Sequence, residues 1–317
     1  MLRLLQRRSR ALGFGPRRAA AVMACLLMTA WVAEPASATD RDCESPGLNI
    51  LLTNDDGYDT PGIVALHRAL SAAGHRVKRV APAENQSGSS ASLSLSDVIV
   101  THVPDEQFSD VYAVTTTPAT TVLLGGTTLF TAEQPLDLVV SGINEGANLG
   151  PATPISGTVG AVIAALRLLQ PQVPGIAVST NPVNDKPASA ENLALLERIA
   201  SFVTRLIGSL QAHACGKGPL LPTNTALNVN YPPLEPASLK GVRLATQGQA
   251  PYFSIGFQAL EGGLYAPTFG APEPADDAPE ADTRLFNEGW VTVVPLDGDY
   301  TATASPVTAE MLEALLP

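Results

Sequence analysis

The sequence Ile50-Leu51-Leu52-Thr53-Asn54-Asp55-Asp56-Gly57 places a short apolar run directly before two adjacent carboxylates and a glycine. Such a run is typical of a strand buried on both faces of a parallel sheet. Ligands of open α/β sheets bind beyond the carboxyl ends of strands, so Asp55 and Asp56 are expected at a binding site. Two poorly solvated like charges repel each other, which favours a bound cation between them. The alternative is an Asx-type turn that ends the strand and caps the next helix.

The residues after this turn predict a β-α-β unit, because Pro61–Ala73 has helical apolar spacing, Gly74 ends it, and Val77–Ala81 is an apolar run. Further strands are predicted at Leu95–Val103, Val111–Thr115, Leu136–Ser141, Ile176–Ser179, Leu227–Tyr231 and Trp290–Val294, and further helices at Pro118–Leu124, Gly157–Leu169, Glu191–His213 and Thr308–Leu316. The predicted fold class is α/β: a Rossmann-like, mostly parallel sheet with helices on both faces, plus a β-rich C-terminal extension.

The chain begins with a predicted export signal over residues 1–38. Six arginines precede residue 19, Ala19–Val32 is apolar, and Ala36-Ser37-Ala38 offers a small-residue cleavage site. The remaining residues, 46–317, are predicted to form one domain with a core over about 46–231. Residues 232–317 would form the β-rich extension, which is expected to mediate oligomerisation, and the C-terminal helix. Within it, Pro272–Asp282 is rich in acidic residues, Pro and Ala and is predicted to be a solvated loop.

Net charge, apolar segments and cysteine content indicate which partners and which compartment to expect. The formal net charge is −11, and removing residues 1–38 makes it about −16, which disfavours binding to a nucleic-acid polymer. No later segment is apolar for long enough to span a membrane, so we expect an exported, periplasmic or secreted protein without membrane association. Cys43 and Cys215 are the two cysteines left after signal removal, and in an oxidising compartment they predict a disulfide.

Three polar loops follow predicted strands and would open on the same edge of the sheet. They supply Asp55 and Asp56, then Ser87, then Asn144. These oxygen ligands suit Mg²⁺ or Mn²⁺, with Ca²⁺ as the alternative. None of the four histidines lies in these loops, which disfavours zinc and a phosphohistidine intermediate. The histidines, His67 among them, are instead expected on helix surfaces or in loops.

The third loop ends in Ile155-Ser156-Gly157-Thr158, which runs into a predicted helix. Free backbone N–H groups and the helix dipole make such a helix start an anion site. Ser156 and Thr158 add hydroxyl donors, and Gly157 lets an anion approach the backbone. The alternative is an ordinary serine cap. Beside a divalent cation, the anion site is the favoured interpretation.

Several of these loops, taken together, resemble the SurE family (survival protein E), which comprises metal-dependent phosphatases of nucleoside monophosphates. The resemblance rests on Asn54-Asp55-Asp56-Gly57, Pro61-Gly62, Asn85-Gln86-Ser87-Gly88, Ser141-Gly142-Ile143-Asn144, Asn148 and Ser156-Gly157-Thr158, and more weakly on Thr117-Pro118, Asn228–Pro232 and Gly289–Leu296. It covers nearly all of the chain after the signal. It implies metal ligands at Asp55, Asp56, Ser87 and Asn144, and dimerisation through an extended C-terminal hairpin.

Together with the predicted export signal, the resemblance implies an exported phosphomonoesterase that hydrolyses nucleoside monophosphates, a 5′-nucleotidase, acting as a homodimer or higher homo-oligomer. Asp55 and Asp56 are the candidate catalytic residues, as base or as nucleophile. The phosphate would be held by Asn148, Ser156, Gly157 and Thr158. The alternative is an exported protein that binds nucleotide or phosphate without turnover. Two segments depart from the family pattern: Pro151–Pro154 stands where an acidic pair is frequent, and Ala119–Thr121 where an Asp-Cys pair is common.

Overall fold

A computed structural model describes residues 46–215, 218–273 and 275–301 of the chain. Its strands are β1 (Asn49–Thr53), β2 (Arg76–Pro82), β3 (Val100–His102), β4 (Val111–Val114), β5 (Leu138–Glu145), β6 (Gly175–Thr180), β7 (Ala226–Asn230), β8 (Gly241–Leu244), β9 (Ser254–Ala259), β10 (Tyr265–Gly270) and β11 (Trp290–Leu296). Its α-helices are α1 (Pro61–Ala72), α2 (Pro118–Thr128), α3 (Gly157–Leu168), α4 (Ala190–Ala214) and α5 (Asp282–Asn287).

Three predictions fall on residues outside the described ranges: the export signal over residues 1–38, the helix at Thr308–Leu316, and the cysteine at Cys43. Cys215, which directly follows α4, is disulfide-bonded. Within the described ranges, no helix combines the length and the apolar composition needed to cross a bilayer.

The strands form one nine-stranded sheet and one separate hairpin. The sheet order is β3-β4-β2-β1-β5-β6-β7-β11-β8, and the hairpin pairs β9 with β10. The six strands from β4 to β7 are mutually parallel, whereas β3 and β11 run antiparallel to their neighbours β4 and β7. The predicted mostly parallel α/β sheet with a β-rich C-terminal part is therefore confirmed.

Strand β1 shows why the sequence requires helices on both faces. All five of its residues are buried, and successive side chains of a strand point to opposite faces. Ile50 and Leu52 pack in the core that includes α1 and α4, while Leu51 packs in the core that includes α2 and α3. Because neither face of β1 meets water, its sequence is a continuous apolar run rather than an alternating one.

Strand β5 differs from its prediction in a way that matters for function. The predicted strand ends at Ser141, but β5 continues through Asn144 to Glu145, with its register against β6 shifted between Ser141 and Asn144. Asn144 therefore lies on a strand end and not in a flexible loop. At the β3 edge of the sheet, the predicted strand Leu95–Val103 is reduced to the three residues of β3, and Leu95 is almost fully exposed.

The prediction that Pro272–Asp282 forms a solvated loop is wrong at Asp282. Asp282 is fully buried, opens α5, and accepts hydrogen bonds from the backbone N–H groups of Gly150 (3.1 Å) and Gly248 (2.8 Å). Asp277 likewise accepts from the backbone N–H groups of Gln249 and Ala250, both at 2.9 Å. Backbone donors from distant segments satisfy these carboxylates, so acidic composition alone wrongly indicated solvation.

His67 also departs from its prediction, because it is buried and its ring stacks on Phe108 with a centroid separation of 3.7 Å. Its Nδ1 atom has no hydrogen-bond partner among the described residues. Burial, reinforced by the nearby Arg79 guanidinium, lowers the pKa of His67 to about 4. The imidazole is therefore neutral in the folded protein at neutral pH.

This neutral histidine predicts an acid-sensitive stability. Between pH 6.5 and about 4 the unfolded chain binds a proton at this residue that the folded chain does not, so the contribution of His67 to the free energy of unfolding should fall, by on the order of 2 kcal/mol. The raised pKa of Asp56 acts in the opposite direction over this range, so the measurement is the difference between the parent and His67→Gln in urea unfolding from pH 7 to 4.5. The stability of the parent relative to His67→Gln should fall by this amount, whereas its stability relative to the exposed His213→Gln should stay constant. Equal slopes in His67→Gln and the parent would contradict the prediction.

Candidate metal and phosphate site

Asn54, and not the aspartates after it, makes the hydrogen bonds of the turn that follows β1. Its Oδ1 accepts from the backbone N–H of Gly57 (3.2 Å), and its Nδ2 donates to the carbonyl of Gly57 (2.8 Å) and to Thr60 Oγ1 (3.0 Å). Thr60 occupies the N-cap position of α1. The turn and the helix start are thus built without Asp55 or Asp56, whose carboxylates remain for another role.

The Asp55 carboxylate lies against the N-terminus of α3. Thr158 Oγ1 donates a short hydrogen bond to Asp55 Oδ1, and the backbone N–H groups of Thr158 and Gly157 also favour the ionised form. Gly157 permits this approach, since a Cβ there would lie 2.8 Å from Asp55 Oδ2. Burial nevertheless raises the pKa of Asp55 above its ordinary value. The predicted anion site at this helix therefore already holds one anion, and Thr158 orients it.

Asp56 joins the same site to the end of β5. Its Oδ2 accepts from the backbone N–H of Glu145 at 3.1 Å. Burial first, and then the negative charge of Asp55, raise the pKa of Asp56 to about 7, although the hydrogen bond from the backbone N–H of Glu145 lowers this pKa. Next to Glu145, Asn144 donates from Nδ2 to the carbonyl of Gly146 (2.7 Å), which leaves Oδ1 as the amide atom suited to a cation.

The second polar loop, which carries Ser87, is hydrogen-bonded both to the turn after β1 and to the segment before α3. The backbone N–H of Gln86 donates to the carbonyl of Asp55 at 2.7 Å, which brings the adjacent Ser87 to this edge of the sheet. Ser87 is exposed. Ser90 donates from its backbone N–H to Ile155 (3.2 Å) and from Oγ to Pro154 (2.6 Å). The three loops predicted from sequence thus meet.

Two of the predicted phosphate ligands make their side-chain hydrogen bonds elsewhere. Ser156 Oγ accepts from the backbone N–H of Val159 at 3.2 Å and caps α3. Asn148 donates from Nδ2 to Ser179 Oγ at 2.8 Å, and its carbonyl accepts from the side chains of Asn228 (2.9 Å) and Asn230 (3.0 Å). Asn148 therefore anchors the loop after β5 to β6 and β7, and its direct contact with phosphate stays a prediction.

Sequence reasoning did not identify two residues beside the site. Ser89 Oγ is buried without a hydrogen-bond partner among the described residues, and a Cβ on Gly157 would lie 2.7 Å from it. Asp282 holds the backbone of Gly150, at the start of the segment that leads to α3. The position of Ser89 in the second loop was the only sequence signal for either residue.

The chemistry of these donors fits a divalent cation of the Mg²⁺ type. Two carboxylates disfavour each other's ionised state in a buried site, and an amide oxygen and a hydroxyl are available nearby. A cation would relieve that repulsion. Among the described residues no group of three or more His, Cys, Asp or Glu could hold a metal. The proposed set differs from such a group because Ser87 and Asn144 supply half of it.

Comparison with known proteins identifies the family of the chain. The family model for survival protein SurE matches residues 50–254. A 5′-nucleotidase SurE of Nitratidesulfovibrio vulgaris is 33% identical over 268 residues, which cover 84% of this chain and all of that protein. One from Desulfitobacterium hafniense is 35% identical, covering 80% of this chain and 92% of that protein. The crystal structure of the SurE protein from Aquifex aeolicus matches with a TM-score of 0.62 and 31% identity, over 84% of this chain and 98% of that one. The chain therefore belongs to the SurE family.

Proposed function

We propose that this protein is a metal-dependent 5′-nucleotidase that hydrolyses nucleoside monophosphates to nucleoside and phosphate at the site of Asp55 and Asp56. The observation that carries the proposal is that Asn54 makes the side-chain hydrogen bonds of the turn after β1, while the carboxylates of the buried Asp55 and the half-buried Asp56 lie close enough for the charge of Asp55 to raise the pKa of Asp56. Relatives named 5′-nucleotidase SurE share a third of their residues with this chain.

Asp55, Asp56, Ser87 and Asn144 are the proposed ligands of Mg²⁺ or Mn²⁺. When bound, such an ion polarises the phosphate and makes water a stronger nucleophile. Asp55 is held in place by Thr158 and by the start of α3, so its position does not depend on the metal alone. Because the Thr158 hydroxyl and the backbone N–H groups of Gly157 and Thr158 act on Asp55, the Ser156 hydroxyl, which accepts from Val159 without using its own proton, is the proposed donor from this segment to the phosphate oxygens.

Phosphate release from adenosine 5′-monophosphate tests this function. We expect turnover with added Mg²⁺ or Mn²⁺, loss of turnover with excess chelator, and recovery when metal is restored. A protein that binds the nucleotide with metal present but releases no phosphate would instead be a binding protein. Phosphate release that persists in chelator would contradict the metal requirement.

Export and self-association are further proposals. The arginine-rich start and the apolar Ala19–Val32 support export, and mass spectrometry of exported protein should find a chain that begins at Thr39.

The β9–β10 hairpin supports a homodimer or higher homo-oligomer, because its large apolar side chains are at least half exposed. These are Ile255, Phe257, Leu260, Leu264, Tyr265 and Phe269. An exposed apolar hairpin of this kind favours pairing with another chain. Light scattering at micromolar concentration should give at least twice the monomer mass, and a monomeric mass would contradict it.

A further inference from the structure

A cavity of about 190 Å³ opens beside Asp56. Asp56 and Asn144, two of the proposed metal ligands, form part of its wall. The remaining wall comes from the start of α1, the ends of β5 and β6, and the beginning of α4. Whatever fills the cavity is therefore adjacent to the group bound at the metal site.

Much of the cavity wall is apolar. Ile143, Pro182, Pro187, Leu195 and Leu196 line it. Small-molecule sites are typically lined by apolar side chains that cover the flat faces of a ligand, with a few polar groups that set its orientation. This wall suits a nucleobase, which has two apolar faces.

Three polar side chains of the wall are already engaged within the protein. Asn192 accepts from the backbone N–H of Val183 (2.6 Å) and donates to two backbone carbonyls. Thr180 Oγ1 donates to the carbonyl of Tyr231 at 2.7 Å, and Thr60 Oγ1 bonds within the turn after β1. These side chains are therefore poorly suited to hydrogen-bonding the edge of a nucleobase.

Glu145 is the remaining polar residue of the wall. It is neither a proposed metal ligand nor one of the side chains already hydrogen-bonded within the protein. It is exposed, and its backbone N–H donates to Asp56, which places it at the rim nearest the metal ligands. In the part of the chain that the structure describes, its carboxylate takes part in no ion pair. In dinucleotide-binding α/β folds, an Asp or Glu side chain accepts a hydrogen bond from the ribose 2′-hydroxyl.

We propose that this cavity holds the nucleoside of the substrate, with the base against the apolar wall and the ribose 2′-hydroxyl donating to Glu145. The inference rests on the proposed function for its substrate class, and it goes further by assigning a ribose-reading residue. A hydrogen bond to a charged acceptor corresponds to about a tenfold preference for the ribonucleotide. Discrimination among different bases, in contrast, should be weak.

The first test compares kcat/KM for adenosine 5′-monophosphate and 2′-deoxyadenosine 5′-monophosphate. The parent should prefer the ribonucleotide about tenfold, and Glu145→Gln should remove that preference mainly by raising KM for the ribonucleotide. Glu191→Gln, an exposed change at the start of α4 outside the cavity wall, should keep it. Equal activity of the parent on both nucleotides, or equal loss on both in Glu145→Gln, would overturn the role of Glu145.

The second test fills the cavity. Leu196→Trp should lower the ratio of kcat/KM for adenosine 5′-monophosphate to that for glycerol 2-phosphate at least tenfold, because glycerol does not need the apolar wall. Leu193→Trp, on the same helix but exposed, should keep the parental ratio. An unchanged ratio in a folded Leu196→Trp protein, checked by circular dichroism, would overturn the cavity assignment.

Direct binding separates this inference from the proposed function. Calorimetry with adenosine on the Mg²⁺-loaded protein needs no turnover, and it should show binding to the parent and loss in Leu196→Trp. Hydrolysis of neither phosphate ester by the parent would refute the proposed function while leaving this readout intact. Hydrolysis of both esters, with adenosine binding unaffected by Leu196→Trp, would refute only the nucleoside cavity.

Discussion

Asp55→Asn is expected to lower kcat/KM for adenosine 5′-monophosphate by about 10³-fold or more, because it removes one charge from the proposed metal site and neutralises the carboxylate held at α3. The protein should still fold, since Asn keeps an oxygen that can accept from Thr158. Its metal-free form should be at least as stable as the metal-free parent, because the repulsion with Asp56 is gone. Phosphate release and thermal unfolding with and without Mg²⁺ measure both effects.

The matched control is Asp59→Asn, an exposed aspartate of the same turn that belongs to no proposed ligand set. It should keep the parental rate and the parental rise in melting temperature with metal. Asp55→Asn should lose most of that rise. If Asp55→Asn instead hydrolysed nucleotide at the parental rate and metal still protected it, the turn would be structural and the chemistry would lie elsewhere.

Gly160→Ala is expected to destabilise the protein by about 3 kcal/mol or more. A Cβ at this position in α3 would overlap the backbone carbonyl of Ser90 and approach the backbone N of Ala91 at 2.6 Å. Backbone atoms cannot rotate away as a side chain can, so α3 and the loop of Ser87 must separate. The melting temperature should fall by roughly 5–10 °C, and activity should fall with it.

Gly208→Ala is the matched control, because it makes the same change within a helix where a Cβ would meet nothing within 4 Å. Alanine there should stabilise the protein by about 0.5–1 kcal/mol through its better helix propensity. Differential scanning calorimetry of both variants gives the comparison. Similar changes of the same sign in the two would show that the contact between α3 and the Ser90 backbone is not tight.

Local patterns predicted most of the sheet because its strands are buried on both faces. The continuous apolar run of β1 and the helical spacing of α1 each contain their own signal, and their observed bounds differ from prediction by at most one residue. The motif residues Asp55 and Asp56 were likewise located by their position directly after a strand, whereas Asn144 was predicted in the loop after Leu136–Ser141 and lies at the end of β5. The family assignment, made from these loops, is confirmed.

Residues whose roles depend on distant partners could not be predicted in this way. Asp282 resembled a solvated acid because its backbone donors at Gly150 and Gly248 lie 132 and 34 residues away. His67 resembled a surface histidine because the ring that covers it, Phe108, comes from a later loop. Burial depends on which segments meet, and composition within a window carries no information about that.

The hydrogen bond between Asp282 and Gly150 can form only after residue 282 has been synthesised. All four proposed metal ligands precede residue 150, whereas their loop receives this buried anchor from a residue 132 positions later. At roughly 5–20 residues per second, a ribosome needs about 7–26 s to add that interval. For that period the growing chain carries every proposed ligand while the segment leading to α3 lacks its C-terminal support. A fragment that lacks residue 282 should therefore hold Gly150, and with it the segment that leads to α3, less firmly than the full chain does.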